Sequence, residues 1–193
     1  MIEKEVILGV DEVGRGSLAG PVVAAAVVLF EGRENILIKD SKKIPKNKIN
    51  AIANKIKKCS FYAIGQASVA EINRLNILGA TMLAMRRAIA GIDQNYHLVR
   101  IDGNQNPFKD LMEFEKSIEL LINGDAICRS IAAASIIAKS YRDNLMRELH
   151  QQYPSYYWHE NKGYSTKKHI EAIREHGISN LHRELFCKKF VKL

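Results

Sequence analysis

Cysteine is scarce in this chain and poorly placed for cross-linking. The three thiols, Cys59, Cys128 and Cys187, lie far apart, form no Cys-x-x-Cys pair and have no histidine partner at zinc-ligand spacing. A disulfide framework and a zinc site are therefore not expected; reduced thiols, buried or incidental, are. Long hydrophobic runs are missing too. The longest, Pro21 to Phe30, falls well short of the ~20 residues that cross a bilayer. The opening Met1-Ile2-Glu3-Lys4-Glu5 has neither the basic start nor the apolar stretch of a secretory signal. No internal repeat, low-complexity tract or flexible linker interrupts the chain. A soluble cytoplasmic protein without a membrane partner is expected.

Acidic residues are in the minority. Lysine and arginine number 29 against 21 aspartates and glutamates, a net charge of +8, which raises the prior for a polyanionic partner. Much of the excess is local. Eight lysines between Lys39 and Lys58 face one acid, Asp40, so that segment alone carries +7. Two readings stand for it, a phosphate-binding patch or a solvated helix face. Hydrophobic residues make up 47% and charged residues 26%, enough apolar material for a core and too much for disorder. At 193 residues, the expectation is one domain over 1–193, with a helical segment from about 153 to 193 packed on it.

Periodicity divides the chain into elements. Glu5 to Val10 is an apolar, β-branched run that predicts a buried strand ending at Asp11. Val13-Gly14-Arg15-Gly16 supplies a turn, and Val22 to Leu29 the returning strand. Pro45 suits the first residue of a helix with Ile49, Ile52 and Ile56 on one face. Phe61 to Val69 reads as a third strand, and Asn76 to Ile89 as a helix stopped by Gly91. Two short strands follow, His97 to Ile101 and Ser117 to Ile122. An alanine-rich helix is expected over about Ile127 to Gln151, and another between a Ser165 or Thr166 cap and Gly177. The pattern is an α/β sheet covered by helices, with a helical C-terminal part.

Asp11, Glu12, Asp102 and Asp125 are the residues on which chemistry would fall. Three predicted strands carry them at or near their C-terminal ends, where α/β sheets commonly place sites. A carboxylate there is costly to desolvate without a partner. Carboxylate oxygens unaccompanied by histidine or cysteine suit Mg²⁺ or Mn²⁺. Neighbours on a strand point to opposite faces, so Asp11 and Glu12 can share a site only if the backbone turns there. Asp102 or Asp125 alone reads better as an ordinary turn acid, since Asp-Gly and Gly-Asp are common turn pairs, whereas all four on three strand ends favour a metal site.

The words around these acids resemble the ribonuclease HII family, the type-two ribonucleases H. Asp11-Glu12-Val13-Gly14-Arg15-Gly16 is similar to its opening signature. Gly20-Pro21-Val22-Val23-Ala24-Ala25-Ala26, Asp40-Ser41-Lys42-Lys43, Leu75-Asn76-Ile77-Leu78 and Ala80-Thr81-Met82 follow in family order. Ile101-Asp102-Gly103-Asn104, Gly124-Asp125, Ala132 to Lys139, Arg142-Asp143 and Lys162-Gly163-Tyr164 complete a set that spans nearly the whole chain. The resemblance implies a ribonuclease H-like fold, a central mixed β-sheet flanked by helices. It also implies a site for two divalent cations, Mg²⁺ or Mn²⁺, held by Asp11, Glu12, Asp102 and Asp125 as catalytic acids. The implied activity is endonucleolytic cutting of the RNA strand of RNA–DNA hybrids and at ribonucleotides embedded in duplex DNA, leaving 3′-hydroxyl and 5′-phosphate ends. Gly14-Arg15-Gly16 would grip the nucleotide at the junction, Lys42 and Lys43 would contact phosphate, and Tyr164 would pack on the sugar beside the cut. A monomer is expected. Asn123 stands where a lysine is common in the family, and Tyr141 where a small residue is. Arg15 favours type HII over HIII, which usually has lysine there, and with ten residues before Asp11 the N-terminal domain typical of HIII is not expected.

Other residues carry weaker expectations. Ser135 suits packing better than nucleophilic attack. His159, His169, His176 and His182 lack a ligand pattern and are expected mostly at the surface, His159 beside the groove. Tyr156, Tyr157 and Trp158 could stack on bases or pack together. Two rival readings remain at this point: a different nuclease or strand-transfer enzyme on the same fold, and a non-catalytic nucleic-acid-binding module.

Overall fold

The computed structural model describes residues 5–30, 32, 45–109 and 114–191. Lys42 and Lys43 lie outside the described residues. Five strands form one sheet: β1 (Ile7–Val13), β2 (Val22–Leu29), β3 (Ser60–Ala67), β4 (Leu98–Asp102) and β5 (Ser117–Leu121), in the order β3-β2-β1-β4-β5. β1 to β3 form an antiparallel meander, whereas β4 and β5 join β1 in parallel. The sheet is thus mixed, and its parallel half sends β1, β4 and β5 to the same edge.

Alternation along the strands builds two cores. Leu8, Val10, Val22, Ala24, Ala26 and Val28 face α2 (Val69–Ala90), together with Val99 and Ile101. Val23, Ala25 and Val27 face the other way, against α1 (Ile49–Lys57) and the alanine-rich α4 (Arg129–Gln152). α4 lies unusually close to β1. A Cβ at Gly9 would stand 2.2 Å from the backbone carbon of Ser130, so only glycine permits this approach. A third cluster, around Trp158, Tyr156, Met146 and Cys187, joins the end of α4 to α5 (Trp158–Asn161), α6 (Lys167–His176) and α7 (Glu184–Cys187). Among the described residues no helix is long and apolar enough to cross a membrane. All three cysteines are buried thiols.

Several boundaries differ from the sequence expectation, each for a local reason. β1 runs on through Val13 because Asp11, Glu12 and Val13 keep pairing with Ala25, Ala24 and Val23. Pro45 precedes the helical turns rather than opening them: it flanks a 3-10 turn at Lys46–Lys48, and α1 follows. Ala53 takes a buried place on α1, while Ile52 is half-buried. α2 begins seven residues before the expected Asn76. Ser68 and Glu71 form a reciprocal capping box at its start. Asn76 nevertheless breaks the helix at φ 59°, and its side chain accepts from the N–H groups of Leu78 and Gly79, capping the second part. The expected helix from Ile127 is preceded by a separate turn, α3 (Gly124–Ile127), entered through Asn123 in the left-handed conformation. Asparagine tolerates that conformation better than lysine does, which gives Asn123 a local reason to stand where it does.

Candidate active site

The edge shared by β1, β4 and β5 gathers the four acids. β1 pairs with β4 as far as Val10 and Ile101, so Asp11 and Asp102 occupy the next step on neighbouring strands. Asp102 is the last residue of β4, and its Oδ1 accepts from the Gly124 N–H at 2.6 Å, tying it to the start of α3. Asp125 sits in that first turn, 7% exposed, beyond β5 rather than on it.

No turn separates Asp11 from Glu12, contrary to the condition expected for a shared site. They lie on opposite faces of a continuing strand. Asp11 is on the α4 side, 6% exposed, where the Ser135 hydroxyl hydrogen-bonds its carboxyl group. Its Oδ1 also accepts from the Glu12 N–H at 2.7 Å. Both acids nonetheless feel Asp102, since the neighbouring strand end lies next to each. Burial first, and then the charges of Glu12 and Asp102, push the Asp11 carboxyl up to about 8. Burial also raises Glu12, with Asp102 adding and Arg15 opposing.

This arrangement suits a hard cation by its chemistry. Desolvated carboxylates that repel one another gain most from a positive charge between them. Among the described residues, no three acid, histidine or cysteine side chains converge tightly enough to hold a metal ion in their present orientations. Like charges without a counter-ion have no reason to converge, and two of these carboxylates are turned toward backbone N–H groups.

The Gly14-Arg15-Gly16 segment follows directly. Ser17 N–H closes a turn onto Gly14 C=O at 3.3 Å, and the Arg15 guanidinium reaches back to Glu12 at 3.2 Å. Gly14 takes φ +90°, and a Cβ there would meet Arg142 Nε at 2.2 Å. Gly16 is different: it has no such φ, and a Cβ there would meet nothing within 4 Å. The protein's own packing therefore gives no reason for glycine at 16.

Two fully buried arginines support this region from below. Arg142 donates to the carbonyls of Pro21, Lys162 and Ala19. Arg183 donates to those of Gly14, Arg15 and Gly20. Tyr164, 36% exposed, lies with its ring 5.5 Å from the Arg142 guanidinium carbon. Its loop is joined to the one after the turn, because Leu18 and Ala19 N–H both point at Gly163 C=O. The loop that carries Tyr164 thus lies against the segment that follows the glycine turn.

Sequence reasoning missed part of this support. Arg142 entered only as part of a motif and Arg183 not at all. Ser135 was expected to pack, and it also bonds Asp11. His169 and His182 are not surface residues but 0% and 1% exposed. Ser179 N–H donates to His182 Nδ1, which leaves its Nε2 proton for His169 Nε2 at 3.1 Å. Trp158 Nε1 donates to the same His169 nitrogen, and His169 Nδ1 then donates to Tyr164 C=O at 2.9 Å. Both rings are neutral at physiological pH: burial lowers His169, and burial with the neighbouring His169 lowers His182 to about 3. Trp158 and Tyr156 are packed in this cluster, which removes them as base-stacking platforms, while Tyr157 is exposed. His159 is exposed, with its ring tilted against that of His150.

Comparison with known proteins agrees with this architecture. The family model "Ribonuclease HII" matches residues 8–189. A ribonuclease HII of Wolbachia pipientis subsp. Culex pipiens is 48% identical over 184 residues, covering 94% of this chain and 90% of that protein. The crystal structure of ribonuclease H2 from Pyrococcus horikoshii superposes with a TM-score of 0.78 at 22% identity, over 95% of this chain and 96% of that one. Bst-RNase HIII, solved in complex with Mn²⁺, gives 0.72 at 22% identity, over 94% of this chain and 64% of that one. The mixed five-stranded sheet with flanking helices is the ribonuclease H-like fold that the motifs imply, and the chain belongs to the ribonuclease HII family of ribonuclease H endonucleases.

Proposed function

We propose that this enzyme cuts the RNA strand of RNA–DNA hybrids and incises duplex DNA at embedded ribonucleotides, with Asp11, Glu12, Asp102 and Asp125 holding two divalent cations, Mg²⁺ or Mn²⁺. The observation that carries the reading is the meeting of two features at one sheet edge. The parallel strands bring desolvated acids there, and β1 continues directly into a turn whose Gly16 faces open space. When bound, the cations supply activation of the attacking water and stabilisation of the leaving 3′-oxygen. The chain's own residues do the rest. Ser135 holds Asp11 in orientation, and the Gly124 N–H does the same for Asp102. Arg15 restrains Glu12. A bare backbone at Gly16 lets a sugar come close, where the 2′-hydroxyl separates RNA from DNA. The Tyr164 ring would pack on the deoxyribose that follows, and Lys42 and Lys43 would contact phosphate. The products would be 3′-hydroxyl and 5′-phosphate ends, and no covalent enzyme intermediate is needed.

The test is cleavage of a DNA duplex containing one ribonucleotide, with and without Mg²⁺, by the wild type and by Asp102→Asn. Asparagine keeps the oxygen that accepts from Gly124 but removes the charge. Loss of nearly all turnover with an intact fold, read by circular dichroism, is expected. Near wild-type turnover in the variant at saturating Mg²⁺ would show that the acids do not hold the reacting centre.

A further inference from the structure

We propose that Arg183 is a positioning residue for ribonucleotide recognition, acting from inside the protein to fix the direction of the Arg15 and Gly16 peptide N–H groups. This inference rests on the reading of Gly14-Arg15-Gly16 as the turn that meets the substrate.

The argument begins with the carbonyls. Arg183 Nη2 donates to Gly14 C=O at 2.7 Å, and Nη1 to Arg15 C=O at 2.8 Å. Its Nε and Nη2 also reach Gly20 C=O, at 3.1 and 2.9 Å. Among the described residues, all of its hydrogen bonds end on backbone carbonyls. In a planar trans peptide the C=O of one residue and the N–H of the next point in opposite directions. With the Gly14 and Arg15 carbonyls drawn inward to one guanidinium, the Arg15 and Gly16 N–H groups are turned outward. Gly16 also has open space in front of it.

The outward direction needs enforcing because of glycine itself. Gly14 to Ser17 form a four-residue turn, in which Arg15 and Gly16 are the central pair. Such turns exist in two forms related by a flip of the central peptide, and glycine at the third position permits the flipped form, which needs φ near +80° there. Gly16 does not take positive φ. The carbonyl that a flip would send outward is Arg15 C=O, the one bound by Arg183 Nη1. Without that bond the turn could present an acceptor to solvent where it now presents a donor. An outward carbonyl would repel phosphate and could not donate to a 2′-oxygen. The fully buried side chain cannot touch substrate, so its effect passes through the turn. The guanidinium also needs its fork: a lysine amine cannot span three carbonyls in fixed directions.

The experiment measures affinity by fluorescence anisotropy in EDTA at low temperature. The probes are an all-DNA duplex and the same duplex with one ribonucleotide, tested on wild type, Gly16→Ala and Arg183→Lys. Wild type should prefer the ribonucleotide duplex, and Gly16→Ala should lose that preference. Arg183→Lys should lose about three- to ten-fold in preference, the worth of one or two hydrogen bonds, and keep its all-DNA affinity. If Arg183→Lys is folded and keeps the full preference while Gly16→Ala loses it, the role given to Arg183 is overturned and the reading of the turn stands. If the wild type itself shows no preference, the reading of the turn fails and Arg183 falls with it. A second measurement does not depend on a variant that folds. In wild-type ¹⁵N NMR, the Arg15 and Gly16 amide protons should become protected on adding the ribonucleotide duplex but not the all-DNA duplex. Unchanged exchange at both would overturn the proposal.

Discussion

Replacing Asp11 by asparagine is expected to make the cation-free protein more stable at alkaline pH. Asp11 is 6% exposed and faces like charges, and its carboxyl is raised from an ordinary 3.8 to about 8. Below pH 3.8 the folded and unfolded chains both hold the proton, and Asp11 adds no pH dependence. Between 3.8 and about 8 the unfolded chain has released the proton and the folded chain has kept it, so stability falls as pH rises. Above about 8 the penalty is complete. A shift of this size corresponds to a ceiling on the order of 5 kcal/mol. Rearrangement around Ser135 and entry of water relieve part of it, so about 1–3 kcal/mol of stabilisation is expected from Asp11→Asn at pH 8.5 in EDTA. In a chain of this size each kcal/mol moves the midpoint by roughly 2–4 °C, which gives a rise of about 2–12 °C. The difference should shrink toward zero near pH 4, and added Mg²⁺ should raise the wild-type midpoint more than the variant's. Calorimetric melting of both proteins at pH 4.5, 7 and 8.5, with EDTA and with Mg²⁺, reads all three effects. A variant no more stable than wild type at pH 8.5 in EDTA would refute the claim that Asp11 is held at a cost which a cation relieves.

Gly14→Ala should be far more damaging to stability than Gly16→Ala. Strain at φ +90° and the clash with Arg142 together cost about 3 kcal/mol or more, whereas Gly16→Ala should leave the melting temperature within about 2 °C; equal melting temperatures would contradict the packing described. Tyr164→Ala should slow cleavage at a single ribonucleotide by on the order of 10²-fold while duplex affinity holds, with Tyr164→Phe affected less; a large drop in melting temperature with normal cleavage in the cold would leave Tyr164 a purely structural residue. Replacing both Lys42 and Lys43 by alanine should flatten the salt dependence of duplex binding, by about 0.9 in log–log slope for each phosphate left unneutralised; an unchanged slope returns the lysine segment to a solvated face.

The elements that alternate or repeat were legible from sequence. β2 has the expected bounds, and β4 and β5 differ from theirs by a residue at one or both ends. The start of α2 was readable from Ser68-x-x-Glu71, but the apolar run of β3 masked it. That Asp11 and Asp102 would meet at one edge was legible from two neighbouring strands, although β1 reaches past Asp11 and Glu12 without turning and Asp125 comes from the helical turn beyond β5. The buried support was not legible. A guanidinium can be buried only where carbonyls surround it, and those around Arg142 and Arg183 come from residues 14, 15, 19–21 and 162. No local period brings such positions together. His169 and His182 were misjudged for the same reason: their partners, Trp158, Tyr164 and Ser179, are supplied by three different segments.

α4 has one more consequence, as a gauge. Ser135 bonds Asp11, and Arg142, seven residues further along the same rigid helix, holds the loops that carry Tyr164 and follow the glycine turn. At 1.5 Å per residue these two points lie about 10 Å apart along the axis. Gly9 clamps the near end of the helix against β1, so it cannot slide. The distance from the acid edge to the loops is therefore built into a helix rather than left to flexible connections. The offset between the nucleotide recognised and the bond broken would be as fixed as the helix, and one residue inserted between Ser135 and Arg142 would rotate the far end by about 100° and advance it by about 1.5 Å.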